Sequence, residues 1–228
     1  MISVIMPVRN SEKVISKSIE SILNQTYGEF EFLILDDHST DSTYQIMKEY
    51  ENLDKRVKVF KNNRNIGLTS SLNKLISESK YEYIARQDSD DVSLENRFAV
   101  QKDLLDTYNY DFCITRARIK NTSKKIPKFS IYLPDKIVIK YKNPFIHGTL
   151  MIKKIVLLER GSYNERFYYA QDYELFWDLL KQKKKYAFIN EIHYELNMEN
   201  NISSLKKTEQ KYYMDCVKNN IVPDKLVI

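Results

Sequence analysis

Tyr83-Ile84-Ala85-Arg86-Gln87-Asp88-Ser89-Asp90-Asp91 is a short apolar run that ends in three carboxylates within four residues. Like charges this close raise one another's pKa unless a cation sits among them. An Asp-x-Asp at a strand end therefore asks for a hard divalent cation, and a cation held by few carboxylates commonly holds phosphate as well. A second apolar run, residues 30–35, ends the same way, in Asp36-Asp37-His38-Ser39-Thr40-Asp41.

Outward from these two stretches the pattern alternates. Apolar runs at 2–7, 30–35, 57–60 and 82–85 read as strands. Helical periodicity falls between them, at 11–25, 42–51, 68–78 and 94–108. In the first helix Val14, Ser18, Ile19, Ile22 and Leu23 share a face, and Ser11 is its expected N-cap. In the fourth, Phe98, Leu104 and Leu105 point inward. This rhythm predicts βαβ units on a parallel sheet, an α/β fold. Ligands of such sheets bind beyond the carboxyl ends of the strands, where both acidic clusters sit. After residue 110 the pattern loosens. Strands are expected at 112–119, 149–152 and 187–189, with a basic connection at 120–128. A helix is expected at 173–180, where Tyr173, Phe176, Trp177 and Leu180 fall at i, i+3, i+4 and i+7, and an amphipathic helix at 204–219.

A chain of 228 residues with 43% apolar content suits one domain, or one with an appendage, and can bury a sizeable core. Cys113 and Cys216 are far apart and form no CxxC, so neither a disulfide framework nor a zinc site is expected. The first residues read as a strand rather than a signal peptide, and no apolar run reaches the roughly 20 residues that span a bilayer. The net charge of +5 hides an asymmetry. Residues 1–115 carry 14 Lys and Arg against 19 Asp and Glu, whereas residues 116–228 carry 22 against 12. The basic half is either a solvated surface or a face for an anionic partner such as a membrane or a lipid diphosphate. Its basic residues are scattered and form no nucleic-acid module, so nucleic acid is not an expected partner. With 4 glycines, and neither GxGxxG nor a Walker A sequence, a Rossmann dinucleotide site and a P-loop are excluded. Phosphate would have to be held by metal and side chains.

Six motifs in order then carry a resemblance. They are Ser3-Val4-Ile5-Met6-Pro7-Val8-Arg9-Asn10, Asp36-Asp37-His38-Ser39-Thr40-Asp41, Asn65-Ile66-Gly67-Leu68 and Arg86-Gln87-Asp88-Ser89-Asp90-Asp91. Asn143-Pro144-Phe145-Ile146-His147-Gly148 follows, and the segment from Tyr163 to Phe176, centred on Ala170-Gln171-Asp172-Tyr173-Glu174, completes the set. Over residues 1–205 the chain resembles family 2 glycosyltransferases of the GT-A fold, of the kind that build bacterial capsule, lipopolysaccharide and other surface glycans. The resemblance implies a Rossmann-like nucleotide-diphosphosugar transferase with a mostly parallel sheet flanked by helices. Residues 1–115 would form the nucleotide-binding half and 116–205 the acceptor and catalytic-base half. Residues 206–228 would be a C-terminal helical extension.

It also implies roles. Pro7, Val8 and Arg9 would line the nucleotide pocket. Asp37, with Asp36 beside it, would accept from the base, as suits the N3–H of a uracil. Arg64 would reach the base or the diphosphate. Asp88 would meet the ribose or a metal-bound water, and Asp90 would ligate Mn2+ or Mg2+. Asp91 and Asp41 read as turn or cap residues. Asp172 would be the base that takes the acceptor's proton in an inverting transfer; helix capping is the competing role for it. His147, Gln171 and Tyr169 would touch acceptor or donor, with Phe167 and Tyr168 beside Tyr169 as an aromatic platform. The implied partners are a nucleotide sugar, a UDP-sugar above all, and a glycan or lipid-linked acceptor. The implied location is cytoplasmic, with peripheral contact at the inner membrane face through the basic half.

The chain departs from the pattern late. Relatives carry Tyr-Arg-x-His before Asn-x-Ser, where this chain has Tyr194-Glu195-Leu196-Asn197 and then Asn201-Ile202-Ser203. Glu195 and Asn197 replace the expected Arg and His, His193 is out of register, and Lys206 or Lys207 is left to supply the charge. Two rival readings follow from the residues: a Mg2+-dependent phosphohydrolase with an Asp nucleophile, and a nucleotide-sugar-binding module without turnover.

Overall fold

The computed structural model describes residues 1–128, 134–199 and 206–224. Its first half is the predicted alternation: β1 (Ile2–Val8), α1 (Ile15–Leu23), β2 (Phe30–Asp36), α2 (Thr43–Leu53), β3 (Val57–Lys61), α3 (Leu68–Glu78) and β4 (Tyr83–Arg86). These four strands pair in parallel, in the order β3-β2-β1-β4. The second half comprises β5 (Val92–Ser93), α4 (Arg97–Tyr108), β6 (Phe112–Ile119), β7 (Lys125–Ile126) and α5 (Asp135–Val138). A single 3-10 turn (His147–Thr149) leads into β8 (Met151–Lys153). Next are α6 (Lys154–Glu159), α7 (Gln171–Lys181), β9 (Tyr186–Leu196) and α8 (Lys207–Lys218). β8 enters antiparallel between β4 and β6, β9 lies parallel to β6, and β5 closes the far edge against β9. The sheet is thus parallel in one half and mixed in the other.

Alternation along β1 and β2 divides the core. Val4, Met6, Phe32 and Ile34 face one layer with Ile15, Ile19 and Ile22 of α1. Ile5, Leu33 and Leu35 face the other, with Leu72, Leu75 and Ile76 of α3 and Tyr173, Phe176 and Leu179 of α7. Each such side chain leaves water completely, worth roughly 1.5–3 kcal/mol. Tyr213, Cys216 and Val217 of α8 join the second layer, so the terminal helix packs into the main core. The expected domain boundary at 205, the sequon at 201–203 and the first residues of the expected last helix lie outside the described residues.

Three differences have local causes. Helix α1 starts at Ile15 because the Ser11 hydroxyl is turned to Arg9 O and to Ser89 Oγ (2.9 Å) and caps nothing. Helix α4 starts at Arg97 because Val92 and Ser93 pair with Tyr194 and Glu195, and Leu94 N donates to His193 O. Strand β9 is 11 residues long rather than three, because irregular pairing with β6 carries it on to the acidic loop.

Candidate functional site

The parallel strands β1, β2 and β4 end on the same side of the sheet, and the loops beyond them surround one cleft of about 1520 Å³. That exceeds the ~300–1,000 Å³ of an ordinary small-molecule site. Pro7, Val8, Arg9, Asp37, Asp88, Asp90, His147, Tyr169, Gln171 and Asp172 all line it. Asp36 and Arg64 do not. Asp36 is the last residue of β2, on the face that alternation gives to Phe32 and Ile34. It is fully buried, with Oδ1 accepting from Ser39 N and Oδ2 unpartnered. Arg64 is exposed on its loop.

Asp37 holds the 62–67 loop. Its Oδ1 accepts from Asn62 Nδ2 and Ile66 N, both at 2.9 Å, and its Oδ2 from Gly67 N at 2.8 Å. A carboxylate has about four acceptor sites, so one remains for a ligand. Gly67 has φ +85°, and a Cβ there would lie 2.8 Å from the Tyr168 ring, which rests on this loop. Asp41 is a turn residue, accepting from Thr43 N and Glu12 N.

Beyond β4 the three carboxylates have separate fates. Asp88 pairs with Arg86, which is almost wholly buried beneath it. Asp91 is buried, its Oδ1 accepts from Asn197 N at 2.7 Å, and burial with Asp88 and Asp90 nearby drives its pKa well above the usual range. Its task is structural. Asp90 faces the cleft and accepts from Asn197 Nδ2 at 3.3 Å. Burial and then the charge of Asp88 raise its pKa. Below them Arg97 is fully buried with no carboxylate partner; it bonds Gln87, Ser93, Gln101 and the carbonyl of Arg86, and burial lowers its pKa to about 10. Two buried guanidiniums thus underlie three carboxylates.

From the opposite wall comes Asp172, in the first turn of α7. The N-cap position is Ala170 in a left-handed conformation and its side chain caps nothing; Asp172, in the first turn, accepts from backbone N–H groups there, so the capping role stands beside the one the resemblance implies. Its Oδ2 accepts from Asn143 Nδ2 at 2.8 Å. Burial raises its pKa, with bonds from backbone and Asn143 opposing and Asp88 adding to the rise. Gln171 and Tyr169 flank it, both mostly buried, with the Tyr169 ring edge-on to Tyr168 and Tyr213. Phe167 belongs to the core; Tyr168 and Tyr169 line the cleft, Tyr168 the more exposed. His147 sits between the two walls, bonded through Nε2 to Tyr163 Oη at 2.6 Å. Burial and then Arg86 push its pKa well below the usual value, which keeps the ring neutral.

Four contributors carried no sequence signal of their role. Asn143 opens the motif that ends at Gly148 but had no role assigned; its Nδ2 donates to Asp172 and its Oδ1 accepts from Phe145 N. Tyr194, fully buried, takes the Asp88 N–H on its hydroxyl at 3.2 Å. Gly148 lies so close that a Cβ would sit 2.4 Å from Tyr194 Oη and 2.9 Å from Asp88 Oδ2. Asn197, which stands where a His was expected, bonds both Asp90 and Asp91. Glu195 stands apart, paired with Arg118.

No three metal-binding side chains form a ready cage among the described residues. The arrangement nonetheless fits a Mg2+-like ion of the kind held by one or two carboxylates and completed by substrate phosphates. Asp90 opens on the cleft with a raised pKa that a cation would relieve, and the neighbouring arginine is already taken by Asp88.

Comparison with known proteins agrees with this geometry. The model of "Glycosyl transferase family 2" matches residues 3–167. The O-antigen biosynthesis glycosyltransferase WbnJ of Escherichia coli is 36% identical over 220 residues, covering 93% of this chain and 85% of WbnJ. The Escherichia coli UDP-Glc:alpha-D-GlcNAc-diphosphoundecaprenol beta-1,3-glucosyltransferase WfgD is 32% identical over 183 residues, 79% of this chain and 70% of WfgD. Among solved structures, S. aureus TarS 1-349 in complex with UDP superposes with a TM-score of 0.76 over 98% of this chain and 67% of that one, at 21% identity. The mannosyltransferase PcManGT of Pyrobaculum calidifontis, in complex with GDP-Man and Mn2+, gives 0.74 over 93% and 61%, at 15% identity. The chain spans 40% of a longer TarS chain. A match over most of the chain, with a GT-A sheet and the acidic loop at its strand ends, makes this protein a member of glycosyl transferase family 2.

Proposed function

We propose that the chain transfers a sugar, with inversion, from a UDP-sugar to a hydroxyl of a lipid-linked or growing surface glycan at the cytoplasmic face of a membrane. One observation carries this reading: Asp172, on α7, lines the same cleft as Asp88 and Asp90 beyond β4, close enough to Asp88 to feel its charge. Pro7, Val8 and Arg9 would bound the nucleotide pocket, and the free acceptor site of Asp37 would take the base N–H. Asp88 would face the ribose. Asp90 would hold Mn2+ or Mg2+; when bound, the ion supplies positive charge against the departing diphosphate. The acceptor oxygen attacks the anomeric carbon as the bond to the phosphate oxygen breaks, and the electron pair leaves with the diphosphate. The acceptor's proton goes to the Asp172 carboxylate, which burial has made more basic. Asn143 orients that carboxylate. His147, Gln171 and Tyr169 would shape the sugar and acceptor subsites, with His147 as a neutral partner rather than an acid.

WfgD, a UDP-Glc:alpha-D-GlcNAc-diphosphoundecaprenol beta-1,3-glucosyltransferase, supports the donor and acceptor classes. The phosphohydrolase reading loses support, because the loop after β1 offers Arg9 and Asn10 where an Asp nucleophile would stand. The test is UDP release from a panel of UDP-sugars, with Mn2+ or with chelator, given sugar-diphosphate-polyprenol acceptors. Acceptor-dependent UDP release is expected. Tight UDP binding without turnover on any acceptor would instead favour the binding module.

A further inference from the structure

The segment from Pro134 to Lys142 has two unlike faces. Its backbone turns helically throughout: Ile139 N bonds Asp135 O, Tyr141 N bonds Val138 O, and Lys142 N bonds Val138 O. Inward, Val138 and Ile139 are buried, Ile139 O accepts the Tyr173 hydroxyl of α7, and the Asp135 carboxylate is bonded by Tyr186 of β9. Outward, Ile137 is 52% exposed and Tyr141 78% exposed. They are four residues apart, so they share a side of the helical turn. Lys136 and Lys140 are likewise four apart and exposed, and Lys142 is exposed where the segment meets the cleft. With Asp135 tied to Tyr186, the segment's outward charge is wholly positive. The next residue, Asn143, holds Asp172.

We propose that this face is a docking surface for an anionic lipid bilayer. Lys136 and Lys140 meet the headgroups, and Ile137 and Tyr141 enter the interfacial layer. Basic residues with interleaved apolar and aromatic side chains are what an anionic membrane surface recognises. A second copy of the chain would present the same positive charge and repel. The contact is with the surface, and no helix among the described residues is long and apolar enough to cross a membrane. Docking here would put the mouth of the cleft, one residue from the Asp172 support, against the plane in which a lipid-linked acceptor is embedded. This last consequence rests on the acceptor class proposed above; the docking itself does not.

The test is co-sedimentation of the full chain with vesicles of phosphatidylcholine alone and of phosphatidylcholine with phosphatidylglycerol, without donor or acceptor. Binding to the anionic vesicles only, weakened by salt, is expected. Lys136→Gln and Lys140→Gln should each lower vesicle affinity roughly fivefold. The double change Ile137→Ser with Tyr141→Ser should abolish the salt-resistant part. Ile155 and Leu158 of α6 are also exposed, but follow β8, which runs away from the cleft; their replacement by Ser should change nothing. Three results overturn the proposal: no binding of the unaltered chain to anionic vesicles, binding that survives all four changes at 136, 137, 140 and 141, or a dimer in solution that Tyr141→Ser dissolves. UDP release measured in parallel on a detergent-dispersed acceptor separates a failure of docking from a failure of the transferase reading.

Discussion

The two walls of the cleft solve opposite electrostatic problems. On the β4 side, three carboxylates are held together over two buried arginines, and each has its own partner: Arg86 for Asp88, Tyr194 and the Asn197 backbone for Asp91, the Asn197 amide for Asp90. On the α7 side, one carboxylate stands in the first turn of a helix, held by the Asn143 amide and by backbone N–H groups of its own turn. The first wall concentrates negative charge, which on the proposed reading a cation and a diphosphate would complete. The second, on the same reading, would supply the base. The pKa values of Asp90 and Asp172 both rise, each first through burial and each with a contribution from Asp88. A raised pKa alone therefore does not separate the ligand role proposed for Asp90 from the base role proposed for Asp172; the experiments below do.

The sharpest way to break this contrast is Asp172→Asn. It should lower single-turnover transfer by about 10²–10⁴-fold, the usual worth of a general base, and leave UDP affinity unchanged by calorimetry. Loss of nucleotide affinity instead would move Asp172 to the other wall's job. Asp90→Ala should remove the gain in UDP affinity that Mn2+ brings, on the order of tenfold or more; an unaltered Mn2+ effect would sink the ligand assignment. Gly148→Ala probes how tightly the first wall is built. The added methyl has 2.4 Å to Tyr194 Oη, so urea unfolding should show a loss of about 1–3 kcal/mol. Tyr194→Phe in the same chain should recover part of it, a coupling that a double-mutant cycle reads directly. The smallest effect concerns pH. Asp172 must be ionised to accept a proton, so transfer should fall as pH drops through its raised pKa, above the range of an ordinary carboxylate. Asn143→Ala removes a bond that favours the ionised form, so the acid limb should move to still higher pH while the alkaline side stays put.

Much of this was readable in the chain. The alternation of periods placed β1 to β4 and the helices between them, because each of those elements is an uninterrupted local pattern. It also placed both acidic loops, since strand ends in a parallel sheet are where ligands go. Capping at Ser11 failed because Ser89, far along the chain, took the hydroxyl. The antiparallel insertion of β8 and the reach of β9 were not legible, since three residues of β8 carry no period and β9 is irregular. The partners that sort the carboxylates are just as remote: Asn197 is 106 residues from Asp91, and Asn143 is 29 from Asp172. Local spacing can say that a cluster of acids is unusual. Only the tertiary fold says which partner each acid takes.

The irregular pairing of β9 has a consequence for sequence change. Thr115 pairs with Ile189 and Ala117 with Tyr194, so β9 advances five residues while β6 advances two. Those three surplus residues set which side chain arrives at the acidic loop. Remove one and Met198 would stand where Asn197 now holds Asp90, and the Tyr194 hydroxyl would leave the Asp88 amide. Residues 190–193 do not line the cleft, and the one among them with a side-chain bond to β6 is Asn190, which accepts from Arg116. What reaches the site is their number: the strand keeps count for it, so single-residue deletions there should be as damaging as substitutions in the cleft itself.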